Sequence, residues 1–319
     1  MKRTLLSCVL LATSFTSACS GASANQKNSP ATQPAEAQAA KADEGRRRAL
    51  EAKLAEIVAE AKGRVGVAAV VLETGERVAL RGREQFPMQS VYKLPIAMTV
   101  MRMVDAGKLR LEQRVKIGKE EYVRQGQFSP IRDENPKGAE LTLAELVRYA
   151  VSESDGTASD VLMRVAGGAG AVAGFLKEIG VSEVIVLNTE KEIGRDWQTQ
   201  YANWASPEGA VALLRALHER RGLSEPSQAL LLKHLAESPR GPGRLKGMLP
   251  AGAYVAHKTG TSGSRGGVTA AVNDIGIVTL PNGRHAAIAV FVSDASADGA
   301  TCEGVIAKVA RAVWDAWGS

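Results

Sequence analysis

Residues 86–98 read FPMQSVYKLPIAM, an apolar run that carries a serine, Ser90, and a lysine, Lys93, three positions apart. The run predicts the start of a buried helix, in which residues i and i+3 share one face. Burying a lysine is costly, because desolvation penalises its charge and should lower its pKa. A lysine of lowered pKa beside a hydroxyl can accept a proton, so the pair predicts a serine nucleophile with a proton partner.

Two later stretches carry further groups of this kind. Residues 152–162, SESDGTASDVL, supply Ser154 near the start of a helical run, and residues 256–263, AHKTGTSG, supply Lys258, Thr259 and Gly260 before a predicted strand. Each triplet alone is also typical of a helix cap or a turn. In this order, S-x-x-K, S-D-G and K-T-G resemble the S-x-x-K, S-D-N and K-T-G set of serine β-lactamases and penicillin-binding proteins.

Over residues 46–317 the chain resembles a class A serine β-lactamase, and this resemblance implies roles for the motif residues. The implied catalytic residues are Ser90, Lys93, Ser154 and Glu190; the implied substrate-binding residues are Lys258, Thr259, Gly260, Thr261, Arg244 and Gly156. Ser90 would be acylated, Lys93 would exchange its proton, and Ser154 would carry a proton to the lactam nitrogen. Backbone N–H groups of Ser90 and Thr261 would form the oxyanion hole.

Deacylation separates a β-lactamase from a penicillin-binding protein, and class A enzymes use a loop glutamate in the pattern E-x-x-L-N. In NTEKEIGRDWQTQYANW, Glu190 and Ile193 match this pattern, but Gly194 stands where an asparagine normally orients the water. Glu192 fits less well, since charged residues would then occupy the last two positions. The run 198–204 resembles the extended-spectrum branch typified by PER- and VEB-type enzymes. We predict that Glu190 is the base.

Other positions near the motifs have weaker signals. Gly156 stands where the family usually has asparagine, a change we interpret as tuning of substrate binding. Arg244, in GPGRLKGMLP, matches a second cation for the substrate carboxylate, with Arg240 as a rival. Residues 128–130, FSP, resemble the cleft-edge segment of the family, with loop packing as the alternative.

Several acidic and metal-binding residue types have no predicted catalytic role. We expect Asp155 and Asp160 to cap helices or serve structure. The four histidines have no H-x-H or H-E-x-x-H spacing, so we expect no zinc site, no other metal and no cofactor. Cys302 is left without a disulfide partner once the N-terminal segment is removed.

The order of predicted elements favours one fold class. Strands are predicted at residues 65–73, 77–81, 266–280 and 284–292; helices are predicted from residue 46 and at 141–151, 158–165, 171–179, 207–220, 227–237 and 303–317. This order predicts an α/β (α+β) fold, in which both chain ends build an antiparallel sheet flanked by helices. An all-helical lobe, residues 84–251, is inserted between lobe segments 46–83 and 252–319. A cleft between the lobes would hold a small-molecule site.

The N-terminus predicts export. Lys2 and Arg3 precede a short apolar core at residues 5–15, typical of a signal peptide. We favour a lipoprotein signal over residues 1–18 with Cys19 lipidated; the alternative is cleavage after Ala24. Residues 19–45 are rich in Ala, Gln, Ser and Pro and predict a flexible tether before the domain at 46–319. The expected location is the periplasm, with a possible lipid anchor.

The predicted function is hydrolysis of penicillins and cephalosporins through a serine acyl-enzyme, which confers β-lactam resistance. Two alternatives stay open: a penicillin-binding D-Ala-D-Ala peptidase, and a non-hydrolytic β-lactam-binding sensor lipoprotein. The chain carries a formal net charge of +6, but its basic residues are scattered, so no nucleic-acid partner is expected. We expect a monomer with a small-molecule β-lactam substrate.

Overall fold

The computed structural model describes residues 32–319, and it describes side chains from residue 44 onward. The predicted signal peptide, the lipidation site Cys19, the alternative cleavage site after Ala24 and the first part of the tether lie outside the described residues. Helix α1 begins earlier than its apolar pattern predicts. It spans Thr32–Ala59, so residues 32–45 of the predicted flexible tether are helical. The compact unit described below is Asp43–Ser319.

The remaining elements follow in chain order. The strands are β1 (Arg64–Val71), β2 (Arg77–Leu80), β3 (Phe86–Pro87), β4 (Arg114–Ile117), β5 (Ala139–Thr142), β6 (Val184–Ile185), β7 (Trp204–Ala205), β8 (Val255–Thr261), β9 (Ser264–Arg265), β10 (Val268–Thr279) and β11 (His285–Ala295). The helices are α2 (Lys93–Asp105), α3 (Pro130–Glu134), α4 (Leu143–Arg148), α5 (Gly156–Ala166), α6 (Ala169–Glu178), α7 (Glu190–Ile193), α8 (Pro207–His218), α9 (Glu225–Ala236) and α10 (Gly299–Trp317).

Both ends of the chain build the main sheet, as predicted. Its strand order is β2-β1-β11-β10-β8, with β9 paired to β10, and every pairing is antiparallel. The K-T-G triplet precedes β10, as predicted, but it also lies within a strand that its sequence does not predict: in β8, Lys258 pairs with Ile275 and Thr259 with Asp274. The α/β fold with an antiparallel sheet is confirmed.

Alternate residues of the strands build two hydrophobic cores, one on each face of the sheet. In β1, Ala68 and Val70 join the core shared with the helices between the two sheet-forming segments, whereas Val67 and Ala69 join the core beneath α1 and α10. Burial on both faces explains why β1 reads as a continuous apolar run rather than as an alternating one.

The inserted region is helical except for short strand pairs. Strands β3, β7 and β6 form one small sheet, and β4 and β5 form another. The helix predicted at 141–151 is α4 followed by a π-helical turn, Tyr149–Glu153, which ends at Ser154. In the part of the chain that the structure describes, no single helix is long and apolar enough to cross a bilayer, and one pair bent by 74°, α5 with α6, passes that test of length and composition together.

Candidate active site

Ser90 and Lys93 lie at a junction between two helical segments. Ser90 belongs to a 3₁₀ turn, Gln89–Tyr92, and Lys93 begins α2. The Lys93 side chain is only 1% exposed, and its Nζ donates to the Ser154 carbonyl oxygen at 2.8 Å and lies 3.2 Å from Glu190 Oε2. These oxygens supply the polar partners that a buried ammonium needs.

Ser154 is held in a conformation that few non-glycine residues adopt. It ends the π-helical turn with φ 64° and ψ 30°, in the left-handed region. Its carbonyl oxygen accepts from Lys93, and its Oγ accepts from Lys258 Nζ at 2.9 Å. Backbone strain of this kind costs roughly 1–3 kcal/mol and persists only where surrounding contacts enforce it.

Strand β8 brings Lys258 and Gly260 against the Ser90 turn. Burial, together with the nearby charge of Lys93, holds the pKa of Lys258 well below its usual value. Gly260 permits the close approach: a β-carbon there would lie 2.3 Å from the Met88 carbonyl oxygen and 3.3 Å from the Ser90 backbone nitrogen. Only glycine allows the strand to lie this near the Ser90 backbone N–H.

Glu190 begins the one-turn helix α7 and points its carboxylate at Lys93. Tyr92, fully buried, donates its hydroxyl to Glu190 Oε2 at 2.6 Å. Burial opposes ionisation of the carboxyl, but the charge of Lys93 and the hydrogen bonds from Tyr92 and Lys93 outweigh it. The pKa of Glu190 is therefore lowered, which keeps the group a carboxylate and a potential base.

Two aspartates hold the surrounding backbone. Asp155 caps α5 by accepting from the Ala158 N–H at 2.8 Å. Asp160 instead accepts from the backbone N–H groups of Glu190 and Lys191, at 2.6 and 2.9 Å. Burial raises the pKa of Asp160 to about 7. Asp160 thus anchors the first turn of the α7 segment rather than capping its own helix.

Most of the predicted site residues line one cleft of about 640 Å³. The predicted site residues that line it are Ser90, Lys93, Ser154, Glu190, Arg244, Thr259 and Thr261. Gly156, Lys258 and Gly260 lie directly behind this lining, in contact with Glu190, Ser154 and the Ser90 turn respectively. The structure therefore brings all ten predicted site residues together.

The two candidate arginines also reach the cleft, in different ways. Arg244 is 5% exposed and donates to Thr261 Oγ1 at 2.7 Å and to Glu303 Oε1 at 3.0 Å. Arg240 stacks on the Phe128 ring at 3.9 Å from the ring centroid. Arg244 is thus the arginine built into the β8 side of the cleft, and Arg240 with Phe128 forms its edge.

Comparison with known proteins decides the family. The sequence profile of the β-lactamase enzyme family matches residues 49–317. The chain belongs to this family.

Similarity to individual β-lactamases indicates the branch of the family to which this chain belongs. It is 42% identical over 267 residues to the extended-spectrum β-lactamase PER-1 of Pseudomonas aeruginosa, covering 83% of this chain and 86% of the relative. It is 36% identical over 268 residues to β-lactamase VEB-1 of the same organism, covering 83% and 89%. The crystal structure of a β-lactamase from Chitinophaga pinensis matches with 46% identity and a TM-score of 0.81, covering 84% of this chain and 98% of that one. The predicted class A assignment and its PER- and VEB-like branch are confirmed.

Gly156 and Gly194 replace asparagines of the class A pattern, and at each of these glycines a neighbouring side chain fills the space of the absent one. A β-carbon at Gly156 would lie 2.7 Å from Glu190 Cγ, and one at Gly194 would lie 2.6 Å from Gln127 Cδ. The asparagines of the family pattern are thus replaced by glycines against which Glu190 and Gln127 pack.

Sequence reasoning missed Tyr92 and Gln127, which both contact Glu190. Tyr92 follows Ser90 by two positions, and Gln127 precedes the FSP segment, yet neither has a motif of its own. Two of the four histidines, which the sequence shows as scattered, lie close to each other and to a glutamate away from the cleft. Ligand atoms of Glu73, His218 and His285 lie within 4.8 Å of one another. None of these three residues lines the cleft.

Proposed function

We propose that this class A β-lactamase opens the β-lactam ring with Ser90 and hydrolyses the resulting ester with a water activated by Glu190. The activity itself, hydrolysis of β-lactams and hence resistance to these antibiotics, is that of its family. One observation carries the assignment of residues. Ser90, Lys93, Ser154 and Glu190 come from separate elements and line one cleft.

In acylation, Ser90 Oγ bonds to the lactam carbonyl carbon and gives up its proton, and the ring C–N bond then breaks. Lys93 accepts this proton once its own has moved to Glu190 Oε2, which lies 3.2 Å from Nζ, or Glu190 accepts it directly through a water. Backbone N–H groups of Ser90 and Thr261 stabilise the developing oxyanion.

Ser154 supplies the proton for the departing nitrogen. Lys258 donates a hydrogen to Ser154 Oγ at 2.9 Å, so the hydroxyl hydrogen of Ser154 must point away from Lys258. We assign that hydrogen to the ring nitrogen. The left-handed backbone of Ser154 supports this role, because it directs the carbonyl oxygen to Lys93 and leaves Oγ beside Lys258.

Substrate binding falls to β8 and Arg244. Lys258, Thr259 and Thr261 would hold the substrate carboxylate. Arg244 has five N–H donors, and four of them already bind Glu303, Thr261 and the carbonyl oxygens of Gly260 and Asn273. We assign it the task of orienting the Thr261 hydroxyl, with at most one N–H free for the substrate.

Its relatives include enzymes named extended-spectrum β-lactamases, and we propose that this chain likewise hydrolyses cephalosporins, including those with large oxyimino side chains. We further propose export to the periplasm as a monomer, with Cys19 lipidated. Mass spectrometry of the mature protein tests the last point, because cleavage after Ala24 would give an unlipidated N-terminus beginning at Asn25.

The test of the proposed chemistry is a progress curve with a chromogenic cephalosporin in molar excess over signal-free protein. The parent should turn over many times. Ser90→Ala should lose turnover, and Glu190→Gln should accumulate an acyl adduct on Ser90 that intact-mass spectrometry detects. A stoichiometric burst in the parent would instead favour a penicillin-binding or sensor protein. Turnover by Glu190→Gln at the parental rate would show that Glu190 is not the deacylation base.

A further inference from the structure

The helix that presents Glu190 is too short to hold itself in place. Helix α7 has four residues, Glu190–Ile193, a length at which an isolated helix is unstable in water. Contacts from outside must therefore fix the Glu190 backbone. Its N–H donates to Asp160 Oδ1 at 2.6 Å, and its carbonyl oxygen accepts from Gln127 Nε2. Asp160 and Gln127 thus bind the two backbone polar groups of the same residue, Asp160 the N–H and Gln127 the carbonyl oxygen.

The Gln127 carboxamide occupies the place that a side chain at position 194 would take. A β-carbon on Gly194 would lie 2.6 Å from Gln127 Cδ and 2.7 Å from both Nε2 and Oε1. Real β-carbons essentially never lie below 3.0 Å from a neighbour, so a side chain at position 194 would push the Gln127 amide out of its present position and away from its two hydrogen-bond partners. In the E-x-x-L-N pattern, that side chain is the asparagine which this chain lacks.

Gln127 is itself held rigidly. Its Oε1 accepts from the Arg124 N–H at 3.0 Å, so the amide oxygen and nitrogen each face the partner they require. The carbonyl oxygens of Gln127 and Arg124 both accept from Arg132 Nη1, at 3.0 and 2.7 Å. The Arg132 side chain is only 11% exposed. The loop therefore delivers the amide to Glu190 in one orientation.

We infer that Gln127 is a positioning residue for deacylation, which fills the space of the missing asparagine and fixes the Glu190 backbone. The inference rests on the proposed role of Glu190 as the deacylation base. Gln127 acts on the carbonyl group of Glu190 and not on the reacting atoms. Its loss should therefore misplace the carboxylate relative to the acyl ester while leaving Ser90, Lys93 and Ser154 in position.

This geometry predicts that the effect of a substitution at position 194 on deacylation depends on the residue at position 127, and changes from harmful to beneficial when Gln127 is replaced. Glutamine at 127 requires glycine at 194. Asparagine at 194 requires a small residue at 127, and then restores the amide of the family pattern. Gly194→Asn should accordingly be harmful alone and beneficial in the Gln127→Ala background.

The experiment measures acylation and deacylation rates separately, by stopped-flow and by intact-mass analysis of the steady-state acyl-enzyme. Gln127→Ala and Gly194→Asn should each slow deacylation by about 10- to 100-fold, with acylation changed by less than about threefold. The double variant should deacylate at a rate within about threefold of the parent. If the two substitutions acted independently, their losses would instead multiply. Gln127→Glu, which keeps the shape but removes the N–H donor, should behave like Gln127→Ala.

Gln125→Ala is the matched control, since Gln125 is an exposed glutamine two residues away and should change neither rate. Unchanged deacylation in Gln127→Ala would overturn the inference, as would losses that multiply in the double variant. Thermal melts of each variant separate misfolding from misplacement, and Gln127→Glu provides the test if Gln127→Ala does not fold. Failure of the proposed function is recognised independently, because Glu190→Gln would then accumulate no adduct on Ser90.

Discussion

The two sides of the cleft are held in different ways. The acylation side, defined as Ser90, Lys93, Ser154 and Lys258, lies on the junction into α2, a 13-residue helix, at the end of the π-helical turn before α5, and at the centre of β8. The deacylation side, defined as Glu190 with α7, has four helical residues and depends on side chains from elsewhere. The first is fixed by the core of the fold and the second by individual hydrogen bonds. The two halves of the reaction should therefore respond separately to mutation.

The largest effect should come from the residue that links the two sides. Lys93→Ala removes the ammonium that lies between Ser154 and Glu190, and it leaves the buried Glu190 carboxylate without its cation. Acylation should slow by about 10²- to 10⁴-fold, the usual contribution of a positioned proton-transfer group. Stopped-flow acylation rates measure this, with exposed Lys108→Ala as the control. A loss below about tenfold would remove Lys93 from the proton path.

A substitution at Gly156 should break the deacylation side alone. In Gly156→Ala the new β-carbon would lie 2.7 Å from Glu190 Cγ and must displace it. Deacylation should slow by about 10- to 100-fold while acylation is preserved, so acyl-enzyme should accumulate in intact-mass spectra. Gly174→Ala is the control, because a β-carbon there meets nothing within 4 Å. Equal losses in both steps would mean that the two sides are not separable.

The smallest effect should follow from Tyr92→Phe, which removes one hydrogen bond to Glu190 Oε2. The weakest hydrogen bonds to charged groups are worth about 1.5 kcal/mol, and Lys93 still pairs with the carboxylate in this variant, so deacylation should slow by about tenfold. That bond lowers the pKa of Glu190, and its removal should raise this pKa. Where deacylation limits kcat, the acid limb of the kcat–pH profile should move to higher pH. An unmoved limb, as expected for the control Tyr254→Phe, would contradict the assignment.

The difference between the two sides also explains what the sequence could predict. Ser90, Lys93, Ser154 and Lys258 lie in short motifs whose residues stay close in the fold, because helices and strands fix local spacing. The antiparallel sheet from both chain ends was predictable from the order of apolar patterns. The placement of K-T-G within β8 was not, since His257 and Lys258 break the apolar run that would mark a strand.

The contacts of Glu190 could not be read from local patterns. Tyr92, Gln127 and Asp160 reach it from 98, 63 and 30 residues away along the chain. Nothing in GQFSP indicates that its glutamine fills the space above a glycine in another loop. Gly194 was visible as a departure from the family pattern, but only the packing of Gln127 gives the physical reason for it.

The pairing of β1 with β11 has a consequence for synthesis of the chain. Arg64 faces Ser293 in this pairing, so β1 cannot complete its pairing until β11 has been synthesised. Lys258 joins Ser154 through β8, which is itself held in the sheet by β10. Contacts this distant in sequence form slowly, because a long loop must close first. A nascent chain that stops before β10 therefore has its nucleophile but no complete cleft, and catalytic activity reports that translation has passed β11.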